Sequence, residues 1–563
     1  MASATHRLGQ ASRPELQQGL VAEVEVPTSF YKDELKTMWT VGWPMLVSFF
    51  CRYGMASEDS AFIGHLSIAS SSVQHLSGYR GTFADGLLGN SGLALVTYGF
   101  AACSAASSGH GAMKYLAAAS LADMVTNILT VPPLAFNRSL NALVSQAIGS
   151  GNKKMAGTWL QLSLLSLTIS YLPTLVSFFF VSPMLHLLGF SAEVCELAGI
   201  FAKFNVFWQI PNGWYQCMRF YFQAQGITRP AMYNNLFFLA FNAFLNWILV
   251  FGGPLKDWFG WHGFGFVGAA MSLSCSKTLQ PLAYWLYMFV WRRAHVETWP
   301  SWSERSFMRL DHTSSFMAMS LPQIGTMTFQ TVVGQSMTLL ISRLGEAAIS
   351  ASAAVAAATL VLSGGLSPTL SMVSGIRVGF HLGKGQALHA RRVSMLAMSV
   401  GIGITAGAGL AALPLAHQII AAVTSDPEVQ SPAVEILPAV LLDMTMSVQV
   451  AIGTSILTSQ GRTKLVTLVS MGIDLPLSVG STAALVLLFR ANLRVVYWAR
   501  AAVSSLEAVA VLILVWQSNW AESARQAREQ QGASGAEMDE ERSHAGIIGE
   551  IALQEGPEAK PEH

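Results

Sequence analysis

From Met38 to Gln517 the chain alternates between long apolar runs and short polar gaps. A run of about 20 apolar residues, wound as a helix, crosses a hydrocarbon core of roughly 30 Å. Only helices and closed barrels satisfy the backbone in that medium, and the two-residue alternation of a barrel strand is absent. Runs at 38–64, 114–148, 157–182, 195–219, 231–253, 264–291, 313–341, 349–376, 393–424, 432–459, 465–489 and 493–517 predict about twelve transmembrane helices. The expected fold class is an all-α polytopic membrane protein.

Composition agrees. Hydrophobic residues make up 52% and charged residues 12%, against roughly 25% charged in soluble domains. The placement of charge then orients the chain, because cytoplasmic loops carry the excess of Lys and Arg. With the N-terminus inside, the even-numbered gaps hold fourteen such residues (Lys153, Lys154, Arg219, Arg229, Arg292, Arg293, Arg305, Arg309, Arg377, Lys384, Arg391, Arg392, Arg462 and Lys464). The gaps after the third, fifth, seventh, ninth and eleventh spans hold Lys256, Arg343, Arg490 and Arg494. Both termini are therefore expected in the cytoplasm, in a plasma, vacuolar or other organelle membrane. No cleavable signal is expected, since the first apolar run begins near Trp39, and Glu15, Glu23 and Glu25 argue against a transit peptide. Residues 519–563 are rich in acid and poor in apolar residues, so they are expected to be a disordered cytoplasmic tail.

A net charge of +1 offers no basic face for nucleic acid. Cys51, Cys103, Cys195, Cys217 and Cys275 show no CxxC pairing and read as small core residues, so neither a disulfide framework nor a metal site is expected, and no cofactor.

The two halves repeat. Ala147-Ile148-Gly149-Ser150-Gly151 resembles His381-Leu382-Gly383-Lys384-Gly385, 234 residues on, and Gln225-Gly226 pairs with Gln460-Gly461, 235 on. Pro44 pairs with Pro322 and Leu66 with Leu344 at an offset of 278. The first half thus holds 44 extra residues, about 67–110, expected to be a surface loop or poorly ordered insert; the alternative, a thirteenth span, would turn the fourteen positive residues outward. Parallel repeats of this kind build transporters around a central cavity. The expected organisation is an N-terminal cytoplasmic segment 1–37, a six-helix lobe 38–292 with its insertion, a cytoplasmic loop 293–312, a second six-helix lobe 313–518, and the tail.

Ionisable groups near mid-bilayer are costly and tend to face a cavity. Those inside spans are Asp59, Asp123, Lys277, Asp443, Asp474 and Glu507, and a carboxylate there can bind a proton or cation. Asn242 and Asn246 are four apart, on one face of the fifth span. Trp208, Trp214, Tyr215, Tyr221, Trp247 and Trp285 serve packing and interfacial belts or cation–π contacts equally well.

Several stretches resemble the multidrug and toxic compound extrusion (MATE) family. They are Asp59-Ser60-Ala61-Phe62-Ile63-Gly64-His65-Leu66, the run Asn141 to Asn152 (NALVSQAIGSGN), Phe222-Gln223-Ala224-Gln225-Gly226, and Arg377-Val378-Gly379 with Leu382-Gly383-Lys384-Gly385. The resemblance implies a monomeric antiporter of two six-helix lobes that exports organic, often cationic, solutes against protons or sodium. It implies cation coupling at Asp59 and Asp443, with Asn242 and Asn246 at positions where some members have Asn and Asp. It places Gln330 and Gln335 where eukaryotic members have glutamates, so these two and Asp123 are expected along the substrate path as contacts. Glutamine cannot titrate, which weakens coupling through the seventh span. Competing readings are a lipid-linked substrate flippase, which needs a cationic cavity for which only Arg138 and Lys277 lie deep enough, and a non-transporting scaffold. An enzyme is not expected: no HxxxxD or HExxH occurs.

Overall fold

The computed structural model describes residues 27–71, 111–300, 309–424 and 426–532. Most of the expected insert at 67–110 lies outside these, and so do the side chains of 56–71, including Asp59, and of Asp474.

The first lobe contains α1 (Thr28–Ser71), α2 (Gly111–Leu134), α3 (Phe136–Gly149), α4 (Lys153–Phe178), the short α5 (Val181–Leu187), α6 (Ala192–Ala224), α7 (Arg229–Phe251), the short α8 (Gly253–Phe259) and α9 (Phe266–Trp285), which runs on as a π-helical turn to Trp291. The second contains α10 (Leu310–Ser342), α11 (Glu346–Ala358), α12 (Ser367–Gly383), α13 (Ala387–Ala412), α14 (Ala416–Val423), α15 (Pro427–Ser459), α16 (Thr463–Ile473) and α17 (Gly480–Ala483), joined and extended by π-helical turns to Leu488, and α18 (Leu493–Trp516). A last helix, α19 (Trp520–Gln530), follows.

These helices make twelve passes over the twelve expected spans. Prolines account for the interrupted ones. Pro132-Pro133 precede the break at Ala135 between α2 and α3, and the path from α11 to α12 bends by 54° ahead of Pro368. Among the described residues seven helices are long and apolar enough to cross a membrane by themselves, or eight with the bent α11–α12 pair. The other four passes, α1, α6, α9 and α10, are less apolar overall. Three of them wall the cavity described below, which is why they carry polar side chains.

The faces sort as a bilayer requires. On α4, Leu165, Ile169, Leu172 and Val176 are exposed, each three or four residues from the next. On α7, Leu236, Phe237, Phe244 and Trp247 are exposed while Asn235, Asn242 and Asn246 are buried. Apolar residues outside and amides inside is the arrangement that lipid favours.

Three clusters form the core. One unites both lobes: Leu143, Ala147, Trp159 and Tyr221 pack in it with Phe316, Ile376, Leu382 and Ile456. The other two belong to one lobe each, around Phe178, Val181 and Phe201 in the first and around Val355, Ile420 and Ile436 in the second. The shared core includes the ends of α3 and α12, next to Lys153, Lys154 and Lys384; the separate cores lie at the opposite helix ends. Among the described residues the lobes thus share a core at the basic end and have separate cores at the other.

Two expectations need correction, and the N-terminal segment, for which the sequence predicts no secondary structure either way, is helical from Thr28. The tail is ordered from Asn519 to Gly532: the Asn519 side chain caps α19 by accepting from the Glu522 N–H, and Trp520, Ala524 and Ala527 are buried at helical spacing. Arg219 and Arg377, expected in polar gaps, lie within α6 and α12. With those two removed the basic end still holds most of the Lys and Arg.

Candidate functional site

Two adjoining cavities lie between the lobes, of about 270 and 200 Å³, and share Arg138, Gln330, Ser371 and Thr454 in their walls. The smaller is walled on one side by α1, α3 and α6, through Phe49, Arg52, Arg138 and Arg219, and on the other by α10, α12 and α15, through Gln323, Gln330, Met372 and Thr454. The larger extends into the second lobe, past Ser447, Arg500, Ser504 and Glu507.

Below the cavity the lobes seal. A Cβ added at Gly149 would stand 2.1 Å from the Phe380 carbonyl oxygen, and one at Gly383 would stand 2.1 Å from that of Gln146. Both backbones approach closely because neither residue has a side chain. The two contacts exchange under the repeat, since 146 and 380, like 149 and 383, are 234 apart, so α3 and α12 meet across a pseudo-twofold axis. The Gln146 amide also donates to the Ser459 carbonyl at 2.8 Å. At the 1.5 Å rise of a helix, Arg138 on α3 and Met372 on α12 each sit about 12 Å above this seal.

A buried ion pair ties the same end. Glu34, on α1 before the apolar span, accepts from Arg377 Nη2 at 2.6 Å and Nε at 2.9 Å, and its carboxylate lies 2.9 Å from His381 Nε2. Burial pushes the Glu34 carboxyl up, but the bonds from His381 and Arg377 and their charge outweigh it and bring its pKa to about 2. Helix α19 adds a second tie. Gln531 bonds to the first lobe three times: its carbonyl accepts from Asn152, its side-chain oxygen from Trp159 Nε1, and its amide donates to Gln146. The Ser518 hydroxyl just before α19 accepts from Arg462.

The residues expected to matter fall in different places. Asp443 is 5% exposed, beneath the wall of the larger cavity, 3.2 Å from Arg500 Nε and accepting from Ser504. Asn242 and Asn246 are buried inside the first lobe, where Asn246 donates to the Asn242 carbonyl and Ser272 does the same from α9. Gln330 lines both cavities; Gln335 and the half-buried Asp123 line neither. Lys277 lies inside the first lobe, its Nζ 3.9 Å from Met55 Sδ.

Arg52 and Arg219 escaped the sequence reading, so the count of deep cations, Arg138 and Lys277, was too low. The repeat held the signal: the offset of 278 pairs Arg52 with Gln330, 234 pairs Arg138 with Met372, and 235 pairs Arg219 with Thr454. All six residues line the smaller cavity.

The MatE family model matches residues 92–248 and 322–479, one stretch in each lobe, the first beginning inside the expected insert. An uncharacterized transporter of Schizosaccharomyces pombe is 25% identical over 425 residues, covering 75% of this chain and 76% of its own. Multidrug and toxin extrusion protein 1 of Xenopus tropicalis is 25% identical over 429 residues, covering 75% and 71%. Among solved structures, a eukaryotic MATE transporter superposes with a TM-score of 0.66 at 18% identity, covering 89% of this chain and all of its own. A Vibrio cholerae MATE transporter gives 0.66 at 16%, covering 88% and 99%. The folds agree, and the matched stretches account for more than half the sequence: the chain belongs to the MATE family of membrane transporters.

Proposed function

We propose that the protein is a secondary antiporter that exports a small organic solute in exchange for protons or sodium by alternating access. The observation that carries this reading is the cavity walled by both lobes, which meet closely beneath it at the basic end. Among the described residues the lobe cores are separate at the far end; on this reading access comes from that side, and breaking the α3–α12 seal would open the other. With the basic end in the cytoplasm, the described state faces outward. A monomer suffices, because one chain supplies both walls.

Asp59 and Asp443 are the proposed coupling groups, supported by Asn242 and Asn246. A carboxylate at Asp443 that takes up a proton loses its hold on Arg500, whose guanidinium lines the larger cavity. Ion binding there would thereby alter the cavity wall.

The test uses proteoliposomes under an imposed pH or sodium gradient and a panel of cationic, neutral and anionic fluorescent solutes. Gradient-driven flux of at least one solute is expected, falling at least tenfold in Asp59→Asn and Asp443→Asn. Absence of flux for every solute overturns antiport and favours the scaffold; undiminished flux in both variants overturns the coupling assignment.

A further inference from the structure

Resting on the antiport reading for its transport step, we propose that the inter-lobe cavity selects a small organic oxyanion, bound by Arg52, Arg138 and Arg219. Arg219 is fully buried on α6. Its Nε and Nη2 both donate to Gln216 Oε1, at 3.1 and 2.8 Å, and Arg52 Nη1 shares that same oxygen at 3.3 Å. One neutral amide oxygen thus serves two guanidiniums, and Arg219 Nη1 has no acceptor among the described residues. Arg138 is exposed to the cavity eight residues above the seal and has no hydrogen bond or ion pair among the described residues. No carboxylate among those residues lies within ion-pair distance of any of the three.

Burying ionised groups without partners is costly, and an occupant that supplies oxygens relieves the cost. Carboxylate and phosphate match the planar fork of a guanidinium bidentately, which water and single carbonyls do not. The rest of the wall indicates an organic body: Phe49 and Phe220 lie 5.2 and 4.6 Å from the Arg219 guanidinium, and Pro368, Met372 and Val466 complete an apolar surface. The volumes admit a small solute. An organic cation would meet three positive charges on the first-lobe wall and, in the smaller cavity, the neutral Gln330 opposite. Glu507, the acid of the adjoining cavity, stands there with Arg500.

The test is equilibrium binding to the full chain in lipid nanodiscs, which needs no gradient, with radiolabelled succinate as the anion and ethidium as the cation. Succinate is expected to bind and ethidium not. Arg138→Gln, at an exposed position that folding tolerates, should weaken succinate at least tenfold, with Arg138→Lys intermediate. Gln330→Glu, nearly isosteric, should weaken succinate and admit ethidium. Succinate binding that survives both Arg138→Gln and Gln330→Glu overturns the proposal, as does a preference for a lipid-linked pyrophosphate over succinate. Gradient-driven export of ethidium without succinate binding overturns it too while leaving antiport standing; succinate binding without any flux supports the site and removes the antiport reading.

Discussion

The Glu34–Arg377 pair gives the most direct measure of how firmly the basic end is closed. It joins α1 of one lobe to α12 of the other, so it exists only while the lobes meet there. The drop of the Glu34 pKa from 4.5 to about 2, at 1.36 kcal/mol per unit, is worth about 3 kcal/mol to the closed arrangement. Glu34→Gln keeps the shape but removes the charge, and leaves the mostly buried Arg377 without its carboxylate, a loss of the same order. The assay is maleimide labelling of a cysteine at Ser145, a fully buried position in the seal, with the five native cysteines replaced. Where opening precedes labelling, about 3 kcal/mol corresponds to roughly a hundredfold faster modification in Glu34→Gln. The sign of the pH effect is fixed as well. A carboxyl whose folded pKa is depressed stabilises fully above its free value near 4.5, and that contribution drains away as pH falls toward 2. The melting temperature of the parent should therefore lose its advantage over Glu34→Gln across that window. A labelling rate within threefold of the parent, or a melting difference unchanged from pH 7 to pH 3, would refute the assignment of this pair as a seal.

Two further perturbations act on the same end. Gly383→Ala puts a methyl group into the Gln146 carbonyl, so α3 and α12 must separate; Ser145→Cys labelling should accelerate and the melting temperature fall, with Gly149→Ala behaving alike because the contact is symmetric. Trp520→Ala empties a buried site on α19 and should cost about 3 kcal/mol of stability, read from denaturant unfolding.

The number of passes and the repeat were legible in the sequence because membrane helices must be long and apolar, and because helix ends need special residues. Gly151, Gly226, Gly385 and Gly461, the landmarks that revealed the repeat, all have φ between +76° and +82°, the left-handed geometry that glycine adopts at a helix end. The same landmarks carry the boundary that apolarity misplaced: Gly226 ends α6, so Arg219 belongs inside it. Hydropathy ends a span at the first strong charge, yet a helix facing a polar cavity continues through one. The tail was misread for a related reason. Trp520, Ala524 and Ala527 form a three-residue apolar stripe in an otherwise charged segment, too little to fold alone and enough to dock on a finished bundle. Which acids and amides meet the cavity was out of reach, because Gln330 and Gln335 differ by five residues on one helix and only packing decides which of them faces inward.

The repeat also divides the molecule into what is symmetric and what is not. At the seal, backbone meets backbone through interchangeable pairs, 149 with 380 and 383 with 146. In the cavity, equivalent positions carry opposite character: Arg52, Arg138 and Arg219 on one wall face Gln330, Met372 and Thr454 on the other. Closure depends on both lobes equally, so its contacts must fit from either side, whereas charge on a single wall is enough to hold a solute. Under the proposed alternating access, rocking the lobes apart at the basic end would break the seal but keep the guanidiniums together, since α1, α3 and α6 belong to one lobe. A solute held ionically would then move with the first lobe and part from the second only at neutral contacts. The proposed site and the proposed access would therefore use separate sets of bonds, so that the same ion pairs would be exposed to one side and then to the other.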